Sequence, residues 1–192
     1  MRDKIWMIGL FFLLMATLPL TILYKNSGTS GEEISNYDKA GNSAALDVEI
    51  RQAASLCRDD FCDEALRAVV ILQKTNAAVS FDQKQSGADA DADAALTARV
   101  KSIYYSEKEI LTLGGKPAAV PCCPSTNGCT EASQTYPYLR AVASPWDAFC
   151  AYRDSGQACV GVSLNGLDWL CRHGLSAEEA LLWYLPGMEI SS

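Results

Sequence analysis

The chain's eight cysteines and single histidine are its most chemically versatile side chains. Cys122, Cys123 and Cys129 fall in one short loop, spaced Cys-Cys-x₅-Cys. Thiolates are good zinc ligands, and a tetrahedral structural site needs four nitrogen or sulfur donors. Cys123 and Cys129 are therefore candidate metal ligands, with Cys57, Cys62 or His173 required from far along the chain to complete the set. Disulfides are the alternative, because thiols outside the cytoplasm can persist in oxidised form. Spacing alone leaves zinc, disulfide and free thiol open, and structural zinc is the only cofactor the sequence suggests.

No motif ties a serine or aspartate to His173, so a hydrolase triad has no support. Its expected place is the last turn of a helix, where the dipole favours an imidazolium. A Cys–His nucleophile pair is disfavoured because extracytoplasmic thiols tend to oxidise. Asp59, Asp60 and Glu64 lie at the start of an apolar helix, where carboxylates are expected to serve as caps. Trp146, Trp169, Trp183, Tyr136, Tyr138 and Tyr184 could stack on sugar rings, yet their spacing assigns them to a core.

These residues must be positioned by a modest set of elements. Ile5 to Tyr24 is an apolar run interrupted only by Thr17, Pro19 and Thr21, long enough to cross about 30 Å of hydrocarbon. Arg2 and Lys4 precede it, so the positive-inside rule leaves residues 1–4 in the cytoplasm and the remainder outside. A cleaved signal peptide is the alternative, but the run is longer than a typical signal core and no good cleavage site follows. Residues 25–45 are polar and rich in Ser, Gly and acids, the composition of a flexible stalk. The expected arrangement is a single-pass anchor over 5–24 and one extracytoplasmic domain over 46–192.

Within that domain a short helix is expected over Leu46 to Ser55. A longer one is expected from Phe61 to about Phe81, with Leu66, Val69, Val70, Gln73 and Ala77 at helical spacing, Asp59 or Asp60 as cap, and Asp63 and Glu64 at the positive end of its dipole. Gly87 to Ala95 repeats Ala-Asp but lacks the Gly turn and terminal Glu of an EF-hand, so a solvated loop is expected to enter a helix near Leu96. Glu109 to Leu113 and Lys116 to Val120, joined by Gly114-Gly115, read as a hairpin with a tight primed turn. Tyr136 to Val142 reads as extended and Ser144-Pro145-Trp146 as a turn. Ser163 to Arg172 forms a helix stopped by Gly174. Ser176-Ala177-Glu178-Glu179 is a capping box opening another, which Pro186-Gly187 ends. The fold class is α+β: a small, mostly antiparallel sheet with packed helices behind one N-terminal transmembrane helix. With a net charge of −7 and no basic patch, the chain is a poor nucleic-acid ligand, since phosphate neutralisation needs clustered Lys and Arg.

Three blocks resemble the stage II sporulation protein D / LytB family. The closing block runs Gly161-Val162-Ser163-Leu164-Asn165-Gly166 through Trp169, then Leu175 through Trp183-Tyr184-Leu185-Pro186-Gly187-Met188-Glu189. It is similar to the family's Gly-x-Ser-Gln-x-Gly helix start and its Tyr-Tyr-Pro-Gly-x-Glu-like ending. A second block, Leu113-Gly114-Gly115-Lys116-Pro117 through Asn127-Gly128-Cys129-Thr130-Glu131 to Pro137-Tyr138-Leu139 and Ser144-Pro145-Trp146-Asp147, looks like the family's hairpin, its Gly-Gly-x-Thr-Glu loop and its Ser-Pro-Trp-Asp segment. A third, Ala54 to Cys57 and then Asp63-Glu64-Ala65-Leu66-Arg67-Ala68, aligns with Ala-x-Glu-Met-Pro and Glu-Ala-Leu-Lys-Ala-Gln. Together they cover most of residues 46–190, without the family's N-terminal strands.

The resemblance implies a lytic transglycosylase of denuded glycan strands, in which one glutamate protonates the leaving oxygen from a partly dry cleft. In this sequence that position is Leu56, which carries no proton. The family's Met and Pro fall on Cys57 and Arg58, its Gln on Leu164, and its Gly-His-Gly on Gln157-Ala158-Cys159. No catalytic residue is therefore assigned. The implied role is a non-catalytic, membrane-anchored protein of sporulation (engulfment) that binds peptidoglycan glycan strands or a cell-wall hydrolase. The alternative is a lytic transglycosylase with a relocated acidic residue; a carboxylate displaced by about 1 Å can already cost roughly 100-fold.

Overall fold

A computed structural model describes residues 30–81, 93–150 and 158–192, with side chains from 43 onward. The chain divides into two compact units, Met1–Leu46 and Asp47–Ser192. Of the first, only helical backbone from Ser30 is described. The apolar run over 5–24 and residues 87–92 of the Ala-Asp repeat lie outside the described residues. Among those described, no helix is long and apolar enough to cross a membrane.

The fold is α+β, with five α-helices and a small antiparallel sheet among the described residues. Helix α1 spans Ser30–Leu56. It starts well before Leu46 and takes in most of the stretch whose composition reads as a flexible stalk. Polar composition limits what a segment can bury, but it does not stop the backbone closing its own hydrogen bonds.

Helix α2, Asp63–Ala78, is the centre of the domain. The expected apolar stripe is present, but burial goes nearly all the way round: Ala65, Leu66, Ala68 and every residue from Val69 to Gln73 are buried. Cys62, not Asp59 or Asp60, is its N-cap, and it contributes no side-chain cap bond. Asp63 and Glu64 occupy the first turn as the dipole favours. Its buried polar groups bond to neighbouring backbone. Thr75 Oγ1 accepts the Leu111 amide at 2.8 Å, and Asn76 exchanges two bonds with the Val120 backbone at 2.9 and 2.8 Å. A polar side chain inside a core is tolerated when it is satisfied in this way.

Helix α3 is Ala94–Ser106. Strands β1 (Ile110–Leu113) and β2 (Lys116–Pro117) form the expected hairpin. Gly114 and Gly115 both take positive φ, +57° and +76°, as a primed turn requires. β5, Glu189–Ser191, pairs antiparallel with the other edge of β1. The sequence reading did not anticipate this third strand, because its three residues carry no turn or alternation signal beyond the Pro-Gly stop. A second, parallel pair joins β3 (Cys122–Cys123) to β4 (Val162–Ser163). The segment expected to be extended, 136–142, forms no strand. It is held by scattered bonds instead: the Tyr138 hydroxyl donates to the Ala119 carbonyl at 2.6 Å, and the Leu139 and Val142 carbonyls accept the Ser133 and Thr130 amides at 3.0 and 2.8 Å. A 3₁₀ turn, Pro145–Phe149, follows.

Helix α4, Leu164–Arg172, starts at Ser163, whose Oγ accepts the Gly166 amide. Gly174 follows it in the left-handed region. Helix α5, Ala177–Tyr184, carries the expected capping box between Ser176 and Glu179.

Candidate functional site

Leu56 is the last residue of α1 and is half-buried. The turn after it, residues 57–62, is clamped onto α4 by three ties. Arg58 Nη1 donates to Asn165 Oδ1 at 2.7 Å, the Cys62 amide donates to Asp168 Oδ1 at 2.9 Å, and Arg172 donates to the Asp60 carbonyl. Asp168 also accepts Arg172 Nε at 2.7 Å. The fold thus brings the Leu56 block against the closing block, about 110 residues later in the chain.

Two of the three carboxylates nearest Leu56 in sequence are engaged. Asp60 holds Arg58 through two parallel bonds of 2.9 Å, and that guanidinium keeps its carboxyl below the usual range. Glu64 accepts the Ala177 amide at 3.0 Å. Asp59 is exposed. Burial pushes the Cys57 thiol up, so it remains protonated, donating to the Ala53 carbonyl.

A second group of acids surrounds Arg67 beside a cavity of about 710 Å³ lined by Glu64, Arg67, Arg99, Glu107 and Glu109. Arg67 donates to Glu107 at 2.6 Å, to Glu109 at 2.8 Å and to Glu178, with Glu64 at 3.7 Å. Their titrations are driven apart. Burial and the facing Glu178 carboxylate raise Glu109. Burial opposes ionisation of Glu178 too, but its own amide, Ser176 and Arg67 outweigh that and lower it to about 2. Glu107 is likewise lowered against its burial by the Glu109 and Lys108 amides and Arg67. Sequence reasoning missed this cluster, since the partners lie 40 and 111 residues from Arg67 and no local spacing links them.

Asp147, in the Ser-Pro-Trp-Asp segment, is fully buried. It accepts the Thr126 amide at 2.9 Å, the Thr126 hydroxyl, Ser144 Oγ at 3.0 Å and Ser163 Oγ at 2.8 Å. Because the Ser144 proton goes to Asp147, the Tyr184 hydroxyl donates to Ser144 Oγ at 2.6 Å and itself accepts Trp146 Nε1 at 2.8 Å. This relay joins the second and closing blocks and leaves no room at Gly166, where an added Cβ would lie 2.0 Å from the Tyr184 hydroxyl.

The aromatic residues depart from the expected core. Trp146 and Trp169 stack with centroids 5.4 Å apart, Trp183 meets Trp146 edge-on at 5.2 Å, and the His173 ring stacks on Trp169 at 3.6 Å. Trp183 is 44% exposed, and Phe149 in the 3₁₀ turn is 79% exposed. Tyr184 alone of the six expected core aromatics is fully buried; Trp146, Trp169, Tyr136 and Tyr138 are half-buried. His173, expected in the last turn of α4, is the C-cap just after it, and its ring covers an indole.

The candidate zinc ligands are not brought together. Cys123 forms a disulfide with Cys159, Cα atoms 5.6 Å apart, and Cys129 is exposed. The parallel β3–β4 pairing carries Cys159 to Cys123, and a sulfur held in a disulfide is no thiolate donor. Among the described residues, no group of three or more His, Cys, Asp or Glu is placed to hold a metal ion. Compared with models of known families and with curated proteins, the chain matches none.

Proposed function

We propose that this chain is a membrane-anchored, SpoIID/LytB-like cell-wall protein that binds glycan strands or a wall hydrolase and does not cleave glycan. The carrying observation is Leu56 at the end of α1, where the resemblance requires an acid, with the adjacent Asp60 locked to Arg58. A carboxyl held below its usual range gives up its proton before it can serve as a general acid near neutral pH. The exposed Trp183 ring, packed on Trp146 that in turn stacks on Trp169, and the exposed Phe149 ring support binding. Aromatic rings combine large contact area with little side-chain entropy to lose. The apolar run over 5–24 supplies the anchor in this reading, with the domain outside and a role in sporulation.

A relocated acid is the second reading, favoured by Glu109, which is raised and lines the cavity. Digestion of purified, stem-stripped glycan strands separates the two. The wild-type protein is expected to release no anhydro-disaccharide, and Leu56→Glu is expected to introduce activity. Release by the wild type overturns the binding reading, and its loss in Glu109→Gln then assigns the acid.

A further inference from the structure

We propose that Asn127 is a spontaneous modification site, exchanging its side-chain amide for water through the Gly128 nitrogen, and that the product loosens this loop from the Asp147 relay. The chain holds two Asn-Gly pairs, Asn127-Gly128 and Asn165-Gly166. Asparagine is thermolabile, and glycine, without a Cβ, leaves its backbone nitrogen open to close approach. The fold separates the two pairs. Asn127 is exposed, outside any helix or strand, and its carboxamide has no hydrogen-bond partner among the described residues. Gly128 takes a φ of +104°, with open space where a Cβ would stand. Its amide is restrained by one neutral bond, to Thr126 Oγ1 at 3.1 Å. Asn165, by contrast, is 4% exposed. Its Oδ1 accepts Arg58 Nη1 at 2.7 Å, and it sits in the first turn of α4, with the Gly166 amide on Ser163 Oγ at 3.2 Å. Helical dihedrals hold the Gly166 nitrogen away from Asn165 Cγ.

The reaction takes in water and releases ammonia, with no change of oxidation state. The Gly128 nitrogen gives its proton to hydroxide and attacks Asn127 Cγ. A C–N bond forms, the Cγ–Nδ2 bond breaks, and Nδ2 leaves as ammonia with a proton from water. Water then opens the resulting five-membered succinimide. Cleavage between the nitrogen and Cγ gives aspartate. Cleavage between the nitrogen and the Asn127 carbonyl carbon gives isoaspartate, whose main chain runs through Cγ. The pair lies between two ties. Thr126 gives its amide, at 2.9 Å, and its hydroxyl to Asp147, and the Gly128 carbonyl accepts the Ser144 amide at 2.8 Å. Isoaspartate lengthens the main chain between them by one carbon, about 1.5 Å, so the two ties no longer fit together.

The test ages the full chain in detergent, at physiological temperature and mildly alkaline pH, beside a synthetic peptide of residues 124–130. Peptide mapping by mass spectrometry follows both. The Asn127 peptide is expected to gain about 1 Da and to appear as two products. Its rate should lie within about 10-fold of the free peptide, because one neutral hydrogen bond protects by no more than about that factor. Asn165 should convert at least about 100-fold more slowly than Asn127, since it waits on local unfolding of α4, and in urea the two rates should converge. A slower Asn127, or a smaller gap to Asn165, overturns the assignment. Thermal unfolding reads the consequence. Ageing should lower the melting temperature of the converted wild-type fraction by roughly 3 to 8 °C. It should leave Asn127→Gln unchanged, because glutamine needs a slower six-membered closure and the exposed site tolerates the substitution. An equal fall in the two proteins overturns the link to the relay.

Discussion

The Tyr184 hydroxyl lies 2.6 Å from Ser144 Oγ, and both press against the Cα of Gly166, where a methyl group would meet oxygen at 2.0 and 2.7 Å. The relay from Trp146 through Tyr184 and Ser144 to Asp147 thus needs a glycine on α4. Gly166→Ala should cost about 2–3 kcal/mol by forcing the relay apart. Asp147→Ala should cost more, about 3–5 kcal/mol, because four donors lose their buried acceptor. Urea unfolding of the soluble domain measures both; a loss below about 1 kcal/mol in either would refute this account of the relay.

The acids around Arg67 predict a pH signature. Glu178 and Glu107 are lowered from the ordinary 4.5, so the stability they contribute is present above that value and is lost as pH falls through their folded values, about 2 for Glu178. Glu109 is raised and works in the opposite sense: its contribution is present below 4.5 and fades as pH rises through its folded value. Two lowered groups outweigh one raised group. Arg67→Met should therefore cost about 2–3 kcal/mol at pH 7, by leaving the buried Glu107 carboxylate uncompensated, and much less near pH 2. Equal losses at the two pH values would remove the ionic explanation.

The exposed Trp183 and Phe149 rings predict a separable binding defect. Trp183→Ala and Phe149→Ala should each weaken binding of stem-stripped glycan strands about 5- to 20-fold, the scale of one aromatic contact. Phe149→Ala should leave stability within about 0.5 kcal/mol, since the ring is 79% exposed. Titration followed by intrinsic tryptophan fluorescence reads the affinity. Unchanged affinity in both variants would exclude these rings from binding.

The elements with strong local chemistry were legible in the sequence. Gly114-Gly115 signalled the hairpin, Ser176 and Glu179 the start of α5, Gly174 the end of α4, and Leu66, Val69 and Val70 the helix at the centre. The cap at Cys62 was not legible, because Asp59 and Asp60 are better caps by type and only tertiary contact commits Asp60 to Arg58. The Trp183 ring was misplaced because helical spacing says which residues share a face and not whether another element covers it. Leu56 could be read against the resembling motif, but its surroundings could not. The ties to Asn165, Asp168 and Arg172 come from more than 100 residues away. Separations of 40 and 111 residues hid the Arg67 acids, and one of 36 hid the Cys123–Cys159 pairing, from any count of spacings.

Cys123 and Cys159 are bonded immediately beside the parallel contact of β3 with β4. Residues 124–158 therefore form a covalently closed ring whose neck is also hydrogen-bonded. A peptidase that nicks this ring once severs the backbone without separating the halves. Such a clipped molecule would run as one band on a gel until reductant is added, and its two fragments would keep the Thr126, Ser144, Asp147 and Ser163 contacts that hold the ring to α4.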